Sequence, residues 1–463
     1  MTVAFDIAIL GAGPAGMAAA ARATQLGASV VVLDEQPSPG GQIYRNVDHA
    51  SATQHRILGP DYSHGRSLTQ ALRKSGAVHC AGATVWDVSS DGLVTYSKGC
   101  QPAQIRARHL ILATGATERP MPLPGWTLPG VMTAGAAQIL LKSGALVARD
   151  PVLIGSGPLL YLLAAQMIAA GRKPRAMVET QSRSDMWAAR HDLPGALRGW
   201  RYLAKGAGLL TKIMAAGIPR YTAAREITLE GADALTSVRF TSRGKPHEIT
   251  TKTALLHHGV VPNTQISRAL RLEHAYDQSQ RCFVPQVDGL CLSSEPNISI
   301  AGDGAGIGGA KVAALSGEIA AFGAASRLGL ITPQTQQAGV APLQRKRQHE
   351  LHARPFLDRA YPPAAQSLSP ADSTLICRCE EVTAGDIRRF AKLGCKGPNQ
   401  AKAFGRAGMG PCQGRFCGLT VTELLAQETG QSQDDTGALR IRAPLKPVTL
   451  GELAAYDANS QET

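Results

Sequence analysis

Residues 6–35 read DIAILGAGPAGMAAAARATQLGASVVVLDE, and this stretch decides the fold. An apolar strand-like run meets a G-x-G-x-x-G turn at Gly11, Gly13 and Gly16, and an Ala-rich helical segment then leads into a second apolar run. In such a βαβ unit the first glycine allows the tight turn, the second lets the backbone approach a pyrophosphate, and the third lets the helix pack on the strand. The stretch therefore predicts a dinucleotide site.

The helix after the glycine turn and the acids that close the second strand supply further candidate contacts. Pro14, Ala15 and Gly16 open the helix, whose N-terminus would meet a phosphate because its backbone amides are free there. Asp34 stands where a carboxylate accepts hydrogen bonds from an adenosine ribose, and Glu35 beside it is the second choice. All five residues are cofactor-binding candidates.

A second glycine turn follows shortly after the first βαβ unit. It reads Gly-Gly-Gln, and its members Gly41 and Gln42 would lie beside whatever extends from the pyrophosphate. Gln42, Tyr44 and Lys311 are candidates for the neighbourhood of an isoalloxazine ring, by their position along the chain alone. We name no catalytic acid, base or nucleophile.

Two later strands predict a return to the same nucleotide site. Residues 109–115 form an apolar run that closes in Thr114 and Gly115, a small-residue turn. Much later, another apolar strand closes in Gly302 and Asp303, just before an Ala-rich helix. An aspartate at a strand end beside a helix N-terminus is well placed to hold a polyol hydroxyl while the helix amides meet a phosphate.

A second βαβ unit is predicted around residues 151–179, after a stiff Pro-rich crossover. It is imperfect, because Leu160 stands where the third glycine would permit close packing. Glu179 at the strand end favours NAD over NADP if either binds. The alternative is a retained scaffold whose site is empty or altered.

The bulk properties narrow the class of protein. The length of 463 residues predicts about three domains. The sequence shows no charged-then-apolar leader and no apolar helix of ~20 residues, so we expect a cytoplasmic protein without a membrane segment. The net charge is +13, but the basic residues are not interleaved with aromatic residues as they are in nucleic-acid binders, so nucleic-acid binding is disfavoured. Basic residues concentrate at 172–212 and 345–347, which indicates either a solvated face or a docking surface for an acidic protein.

Two closely spaced cysteine pairs near the C-terminus suit a metal centre. Cys377 and Cys379 form a C-x-C pair, and Cys412 and Cys417 follow after a helical segment. Four thiolates suit zinc or an iron-sulfur cluster, although C-x-C is tight for one tetrahedral zinc, and plain buried thiols are the third alternative. The segment resembles the [2Fe-2S] domain of the bacterioferritin-associated ferredoxin type, which implies that these four thiols ligate a cluster. Cys395 is expected to be a core residue.

The interrupted order of first sheet, inserted second sheet and return resembles the two-dinucleotide-binding-domain flavoproteins, an α/β class with two Rossmann-like domains. The resemblance implies that the residues matching Gly11, Gly13, Gly16, Asp34, Thr114 and Asp303 contact FAD. The domain boundaries that we predict are an FAD-binding domain at 1–118 and 285–328, an NAD(P)-like domain at 119–284, a linker at 329–372, a small helical [2Fe-2S] domain at 373–430, and a tail at 431–463.

A narrower resemblance comes from the crossover at 113–135, which reads ATGATERPMPLPGWTLPGVMTAG. It is similar to the crossover of the large FAD subunits of heteromeric amine and imino-acid dehydrogenases, among them opine oxidases, D-hydroxyproline and dye-linked proline dehydrogenases, and hydrogen cyanide synthase. The resemblance implies a separate catalytic flavoprotein β subunit and, in some members of the family, both FMN at the subunit boundary and a small ferredoxin-like γ subunit. It also allows association with a membrane through the complex.

The leading hypothesis is therefore a subunit that receives electrons from the amine-oxidising partner and passes them to an external acceptor. A stand-alone NAD(P)H-dependent ferredoxin-type reductase is the main alternative, and a scaffold subunit whose cofactors only stabilise an assembly is the third. Disulfide reduction is disfavoured, because no C-x-x-C or C-x-x-x-x-C pair lies beside the glycine turns.

Overall fold

The computed structural model describes residues 3–461 and shows a seven-stranded first sheet at the N-terminus. Val3–Leu10 lies at its centre and pairs in parallel with Val30–Asp34 on one side and Gln101–Leu112 on the other. Because these strands are parallel, the glycine turn after Leu10 and the acid at Asp34 lie at one edge of the sheet. The strands of the first sheet are Val3–Leu10, Val30–Asp34, Val78–Ala81, Thr84–Val88, Leu93–Lys98, Gln101–Leu112 and Ile298–Ile300.

Two helices rich in small residues pack closely on each other against this sheet. Pro14–Gln25 follows the glycine turn, and Ala310–Arg327 follows the last strand. A Cβ atom on Gly317 would lie only 2.0 Å from the carbonyl oxygen of Ala15, so the two backbones are in direct contact there. The other helices of this region are Ala52–Leu58, Pro60–Ser63 and Gly65–Lys74.

The second sheet is parallel and inserted between strands of the first, as the sequence predicts. The chain leaves the first sheet through Ala116–Glu118 and comes back through Val260–Pro262, which pair antiparallel. The return crossing therefore lies earlier in the chain than the predicted boundary at residue 284. The five strands of the second sheet are Val131–Thr133, Val152–Gly155, Ala176–Glu179, Arg220–Tyr221 and Ala254–His257.

Further helices and small antiparallel units lie between the strands of the two sheets along the chain. The helix after the glycine turn of the second unit, at Gly155 and Gly157, spans Pro158–Ala169. No helix among residues 3–461 combines the length and apolar character that crossing a bilayer requires. The other helices are Ala134–Gly144, Arg183–Ala188, Leu193–Arg198, Trp200–Ala215 and Gln265–Ala269, with 3₁₀ turns at Ala189–Asp192 and Gly302–Ala305. The antiparallel strands are Ala224–Glu230, Ser237–Ser242 and Lys245–Thr250, and the pair His274–Asp277 and Cys282–Pro285.

The prediction of a linker over residues 329–372 is wrong, because most of this segment is helical. Its helices are Pro333–Leu351, Arg354–Ala360 and Ala365–Leu368. Thr332 caps the first of them, and Val340 and Leu343 are buried in the core of the first sheet. A composition rich in Gln, Ala and Arg suits a helix as well as a linker, so composition alone does not distinguish the two.

The cysteine-bearing region forms a small domain with its own apolar core. Its strands are Leu375–Cys377 and Val382–Thr383, and its helices are Ala384–Lys392, Pro398–Gly405 and Gly418–Thr429. The predicted tail continues as the short helix Gln433–Thr436, then an extended segment, then the helix Leu450–Gln461. Ile441 and Leu445 of the extended segment are buried on the first sheet, so the tail ties the small domain to that sheet.

The close approach of the two small-residue helices generates a stability prediction. We expect Gly317→Ala to lower the free energy of unfolding by about 1–3 kcal/mol, because the added methyl overlaps the Ala15 carbonyl oxygen. Gly206→Ala is the matched control, since a Cβ there meets no atom within 4 Å and alanine favours a helix. Urea titration followed by circular dichroism measures both, and equal stabilities of the two variants would contradict the role of this contact.

Candidate redox site

The first glycine turn, at Gly11, Gly13 and Gly16, has the close backbone contacts that the G-x-G-x-x-G pattern predicts. A Cβ on Gly11 would lie 2.5 Å from the Ala113 carbonyl oxygen, and one on Gly16 would lie 1.8 Å from the Gly11 carbonyl oxygen. Gly13 caps the helix Pro14–Gln25 without a side-chain hydrogen bond, so the first backbone amides of the helix have no side-chain acceptor at the cap. The turn thus offers backbone donors of the kind that bind phosphate.

The two candidate acids at the end of the second strand differ in their surroundings. Asp34 is buried, and its carboxylate accepts hydrogen bonds from the backbone amides of Ala12 (2.5 Å) and Gln36 (2.7 Å). Burial raises the pKa of Asp34. Glu35 is part-exposed and forms an ion pair with Lys446 of the tail, at 2.8 Å between Nζ and Oε2. Asp34 therefore faces the glycine turn, whereas Glu35 faces the tail.

The second glycine turn touches the first one and is held from the other side by a buried lysine. A Cβ on Gly41 would lie 2.8 Å from the Cα of Gly13. Lys142 Nζ donates to the Gln42 carbonyl oxygen (3.0 Å) and to Gln138 Oε1 (2.9 Å), and burial lowers the pKa of Lys142 to about 7. The sequence carries no local sign of this contact, because Lys142 comes from a helix of the second unit.

The structure gives the surroundings of two of the three residues suggested for the isoalloxazine region. Tyr44 is buried in the core, where its ring packs against Gly65. Lys311 is half-exposed and lies 3.8 Å from a Glu350 carboxylate oxygen. Position along the chain is the only basis for both suggestions, and it does not determine the direction of a side chain.

The later candidates gather around the same edge of the first sheet. Thr114 Oγ1 donates to the Asn263 carbonyl oxygen (3.0 Å), and a Cβ on Gly115 would meet no atom within 4 Å. Asp303 accepts hydrogen bonds from the amides of Gly308 and Gly309, both at 2.9 Å.

Gly302 and Gly309 also lie at this edge of the first sheet. A Cβ on Gly302 would come within 2.8 Å of the Ala15 side chain, which places the turn directly beside the first helix. Gly309 caps the helix Ala310–Arg327 without a side-chain hydrogen bond. The N-termini of the helices Pro14–Gln25 and Ala310–Arg327, both without side-chain caps, therefore lie beside the glycine turns at one edge of the first sheet. We call this surface the cradle, and it fits a phosphate-bearing cofactor.

The corresponding place in the second unit is occupied by the chain itself. Glu179, expected to hold a ribose, is buried and receives two hydrogen bonds from Arg220, at 2.7 and 2.8 Å. Ser156 in the glycine turn donates to the Pro362 carbonyl oxygen (3.0 Å), and the Ala364 amide donates to His258 (3.2 Å). The segment that the sequence predicts as a linker thus covers this turn.

The structure brings the four candidate thiols near one another. Cys379 and Cys412 lie 3.9 Å apart between sulfur atoms. A hydrogen bond from the Cys417 thiol lowers the pKa of Cys377 to about 5. Among residues 3–461 no group of three or more His, Cys, Asp or Glu side chains is arranged around one metal position. Cys395 lies outside both pairs and donates to the Gly397 carbonyl oxygen at 3.3 Å.

The loop that carries Cys412 and Cys417 depends on residues that the sequence analysis did not single out. A Cβ on Gly410 would lie 2.2 Å from the Cβ of Cys379, so only glycine fits against that thiol. Gln413 and Gly414 adopt positive φ angles of 48° and 77°, which turn the chain between the two cysteines. Two glycines close to a C-x₄-C pair are the signal that could have predicted this turn.

A small cavity is lined by residues near the cradle and by residues of the loop that carries Cys412 and Cys417. Its volume is about 70 Å³, and Thr117 and Asn263 line it on one side and Arg415 and Gly418 on the other. The Asn263 amide donates to the Gly115 carbonyl oxygen (2.9 Å), and Gly418 directly follows Cys417. The cradle and the thiol loop are therefore neighbours.

Comparison with known proteins agrees with this arrangement. Residues 5–317 match the family described as Pyridine nucleotide-disulphide oxidoreductase, and residues 371–457 match the one described as Sarcosine oxidase A3 domain. The L-proline dehydrogenase structure from P. horikoshii has a similar fold, with a TM-score of 0.69 and 18% identity, over 98% of this chain and 80% of that chain. The fold and the first site thus define an FAD-dependent oxidoreductase of the α/β class.

The curated relatives narrow the class to a family of subunits. The chain is 43% identical to the opine oxidase A subunit of Rhizobium meliloti (strain 1021), over 97% of this chain and 98% of that protein. It is 34% identical to the hydrogen cyanide synthase subunit HcnB of Pseudomonas aeruginosa, over 95% and 96% of the two chains. The chain belongs to the family of opine oxidase A subunits and HcnB subunits, which confirms the resemblance seen at residues 113–135.

The geometry of Asp303 generates a prediction for flavin binding. Asp303→Ala is expected to weaken FAD retention about tenfold, because its carboxylate orders the amides of Gly308 and Gly309 at the cradle. Asp288→Ala is the matched control, since this carboxylate also accepts from two backbone amides but lies in another loop. Flavin absorbance after exhaustive dialysis is the measurement, and full occupancy in Asp303→Ala would refute the assignment.

Proposed function

We propose that this chain is the electron-transferring FAD and [2Fe-2S] subunit of a heteromeric amine or imino-acid dehydrogenase. The observation that carries the proposal is a small cavity lined both by Asn263, whose amide bonds to Gly115 of the cradle, and by Arg415 and Gly418 of the loop that carries Cys412 and Cys417. FAD accepts two electrons as hydride and a [2Fe-2S] cluster passes one at a time, so a chain that holds both can split electron pairs.

The first cradle supports FAD as the resident cofactor. Gly11, Gly13, Gly16 and Gly41 bring backbone close to the position of a pyrophosphate, and Asp34 and Asp303 supply carboxylates at the same sheet edge. The remaining residues that we assign to the cradle are Pro14, Ala15, Glu35, Gln42, Thr114, Gly115 and Gly302. Glu35 contributes only if its ion pair with Lys446 opens.

The arrangement of the thiols favours a [2Fe-2S] cluster over zinc. A structural zinc site gathers four ligands at about 2.3 Å around a single ion. A [2Fe-2S] cluster divides four cysteines between two irons, so its ligands come in two pairs. Cys377 and Cys379 are separated by a single residue, which is tight for one tetrahedral zinc, and Cys379 lies 3.9 Å from Cys412 between sulfur atoms, so the two cysteine pairs of the sequence come together. We therefore assign Cys377, Cys379, Cys412 and Cys417 as cluster ligands.

The second unit counts against the stand-alone NAD(P)H reductase. The acid that would hold the ribose, Glu179, is paired with Arg220, and Ser156 of the glycine turn beside it donates to the Pro362 carbonyl oxygen. Opening this site would take the charged partner away from the buried Glu179 carboxylate, which costs several kcal/mol. We infer that the second unit serves as a scaffold and binds no nicotinamide cofactor.

The names of the relatives support a multi-subunit assembly. The opine oxidase relative and HcnB are both named as subunits. We propose that a separate catalytic flavoprotein β subunit oxidises the carbon–nitrogen bond of an opine, hydroxyproline, proline or glycine and that this chain forwards the electrons. A small ferredoxin-like γ subunit, FMN at the subunit boundary and a cytoplasmic location, with membrane contact only through the complex, complete the proposal.

The ligand assignment predicts the outcome of a cysteine substitution. Cys412→Ser should lose bound iron and the brown visible absorption while retaining FAD, because the cradle lies outside the thiol pairs. Cys395→Ser is the control, since Cys395 is buried in the same domain but outside both pairs. Iron and flavin are measured separately on the same preparations. Unchanged iron in Cys412→Ser would overturn the assignment.

The proposed role also predicts which reductants act on the flavin. Under anaerobic conditions NADH and NADPH should leave the flavin oxidised, whereas the amine or imino-acid substrate should bleach it only when the catalytic partner is present. Brisk bleaching of the isolated chain by NADH would instead establish the stand-alone reductase. Slow reduction by the substrate in the full assembly would favour the scaffold role.

A further inference from the structure

An open cleft with strongly basic walls lies on the outer side of the thiol loop. We call it the cationic cleft; its volume is about 820 Å³, and residues 408–411 form one wall. The opposite wall comes from the extended tail segment at 440–447. Lys402, Arg440, Arg442 and Lys446 line it, and no aspartate or glutamate is among the residues that do so.

Most of this positive charge is not neutralised within the chain. Lys446 pairs with Glu35, but no carboxylate forms an ion pair with Lys402, Arg440 or Arg442 in the described part of the chain. Arg440 and Arg442 are exposed and Lys402 is half-buried. Like charges held close together repel each other, so an uncompensated cluster of this kind is best satisfied by an anionic partner.

The cationic side chains sit on a backbone that is fixed in advance. The Arg440 amide donates to Asn399 Oδ1 (2.9 Å), and the Arg442 amide donates to Gln413 Oε1 (3.1 Å). Gln413 also donates from Nε2 to the Pro444 carbonyl oxygen (2.6 Å). The small domain thus holds the tail segment in place, and little ordering is required when a partner binds.

The cleft adjoins the more accessible pair of thiols. Cys379 is exposed and Cys412 half-buried, whereas Cys377 and Cys417 are buried. The cleft wall includes Gly410, which packs directly on Cys379, and Met409, whose side chain is 48% exposed. The opposite side of the loop, at Gly414 and Gly418, faces the cavity toward the cradle. The loop therefore has an inner side toward the flavin site and an outer side toward solvent.

We propose that the cationic cleft is the docking site for an acidic one-electron carrier protein that takes electrons from this chain. The proposal rests on the proposed function and adds the exit surface to it. In the transfer, the reduced chain loses one electron and the oxidised carrier gains it, so no bond forms or breaks. Complementary charge steers and orients such short-lived complexes, and an exposed apolar side chain among the cations suits their contact surface.

The test uses the full-length chain and a plant-type [2Fe-2S] ferredoxin, an acidic protein, as the probe. Binding is measured by titration calorimetry at about 50 and about 300 mM NaCl, because screening weakens contacts between exposed charges. The double variant Arg440→Glu/Arg442→Glu is expected to weaken binding about tenfold or more. Arg440→Gln/Arg442→Gln should give an intermediate loss and shows whether charge reversal has damaged the fold.

The matched control is Arg172→Glu/Arg175→Glu, which changes the net charge equally at two exposed positions of the second unit. It should weaken binding less than about twofold. Equal losses in both double variants would mean general charge attraction and would overturn the docking site. Absence of ferredoxin binding, with inorganic pyrophosphate binding the wild type but not Arg440→Glu/Arg442→Glu, would make the cleft a site for small polyanions and would also overturn it.

Failure of this inference is distinguishable from failure of the proposed function. Iron content and visible absorption are recorded on the same preparations, and calorimetry requires no electron transfer. If the chain holds iron and its affinity for ferredoxin does not depend on Arg440 and Arg442, the docking site alone is refuted. A chain without iron whose ferredoxin binding still needs these arginines refutes the proposed function and supports the docking surface.

Discussion

The arrangement of the redox region depends on one extended stretch of tail, residues 437–447, that is bonded on both sides. Its backbone receives and donates hydrogen bonds with Gln413 of the thiol loop, and its Leu445 amide donates to the Trp86 carbonyl oxygen of the first sheet at 2.7 Å. The Leu439 side chain packs over Gly408 and Gly414. Because the segment spans the two domains, it keeps the cysteine loop against the edge where the nucleotide cradle opens.

The second parallel unit has kept the form of a nucleotide-binding domain while its polar groups bond within the chain. Glu179 is satisfied by Arg220, and the neighbouring glycine turn is satisfied by a helical segment that comes much later in the sequence. Lys142 of this unit instead supports the Gln42 turn of the first cradle. Buried polar groups require partners, and in this unit the chain itself provides them.

The positive charge of the cationic cleft comes from several segments of the chain and not from one basic stretch of sequence. Basic residues are most frequent at 172–212 along the sequence, yet the cleft beside the thiols joins Lys402 of one helix with Arg440 and Arg442 of the tail. Local concentration of charge therefore does not locate the surface that adjoins the redox region. The position of the cations relative to Cys379 gives that surface its significance.

The sequence by itself determined the first βαβ unit, its glycine turns, the insertion of a second sheet, and the two spaced pairs of Cys377 with Cys379 and Cys412 with Cys417. These features are encoded in contiguous patterns, because strand, turn and helix each depend on neighbouring residues. Only the tertiary structure decided that residues 333–351 are helical, that Glu179 is taken by Arg220, that Lys142 supports the cradle and that the tail builds the cationic cleft. Each of these depends on contacts between segments far apart in the chain, whose meeting is set by the packing of the complete core.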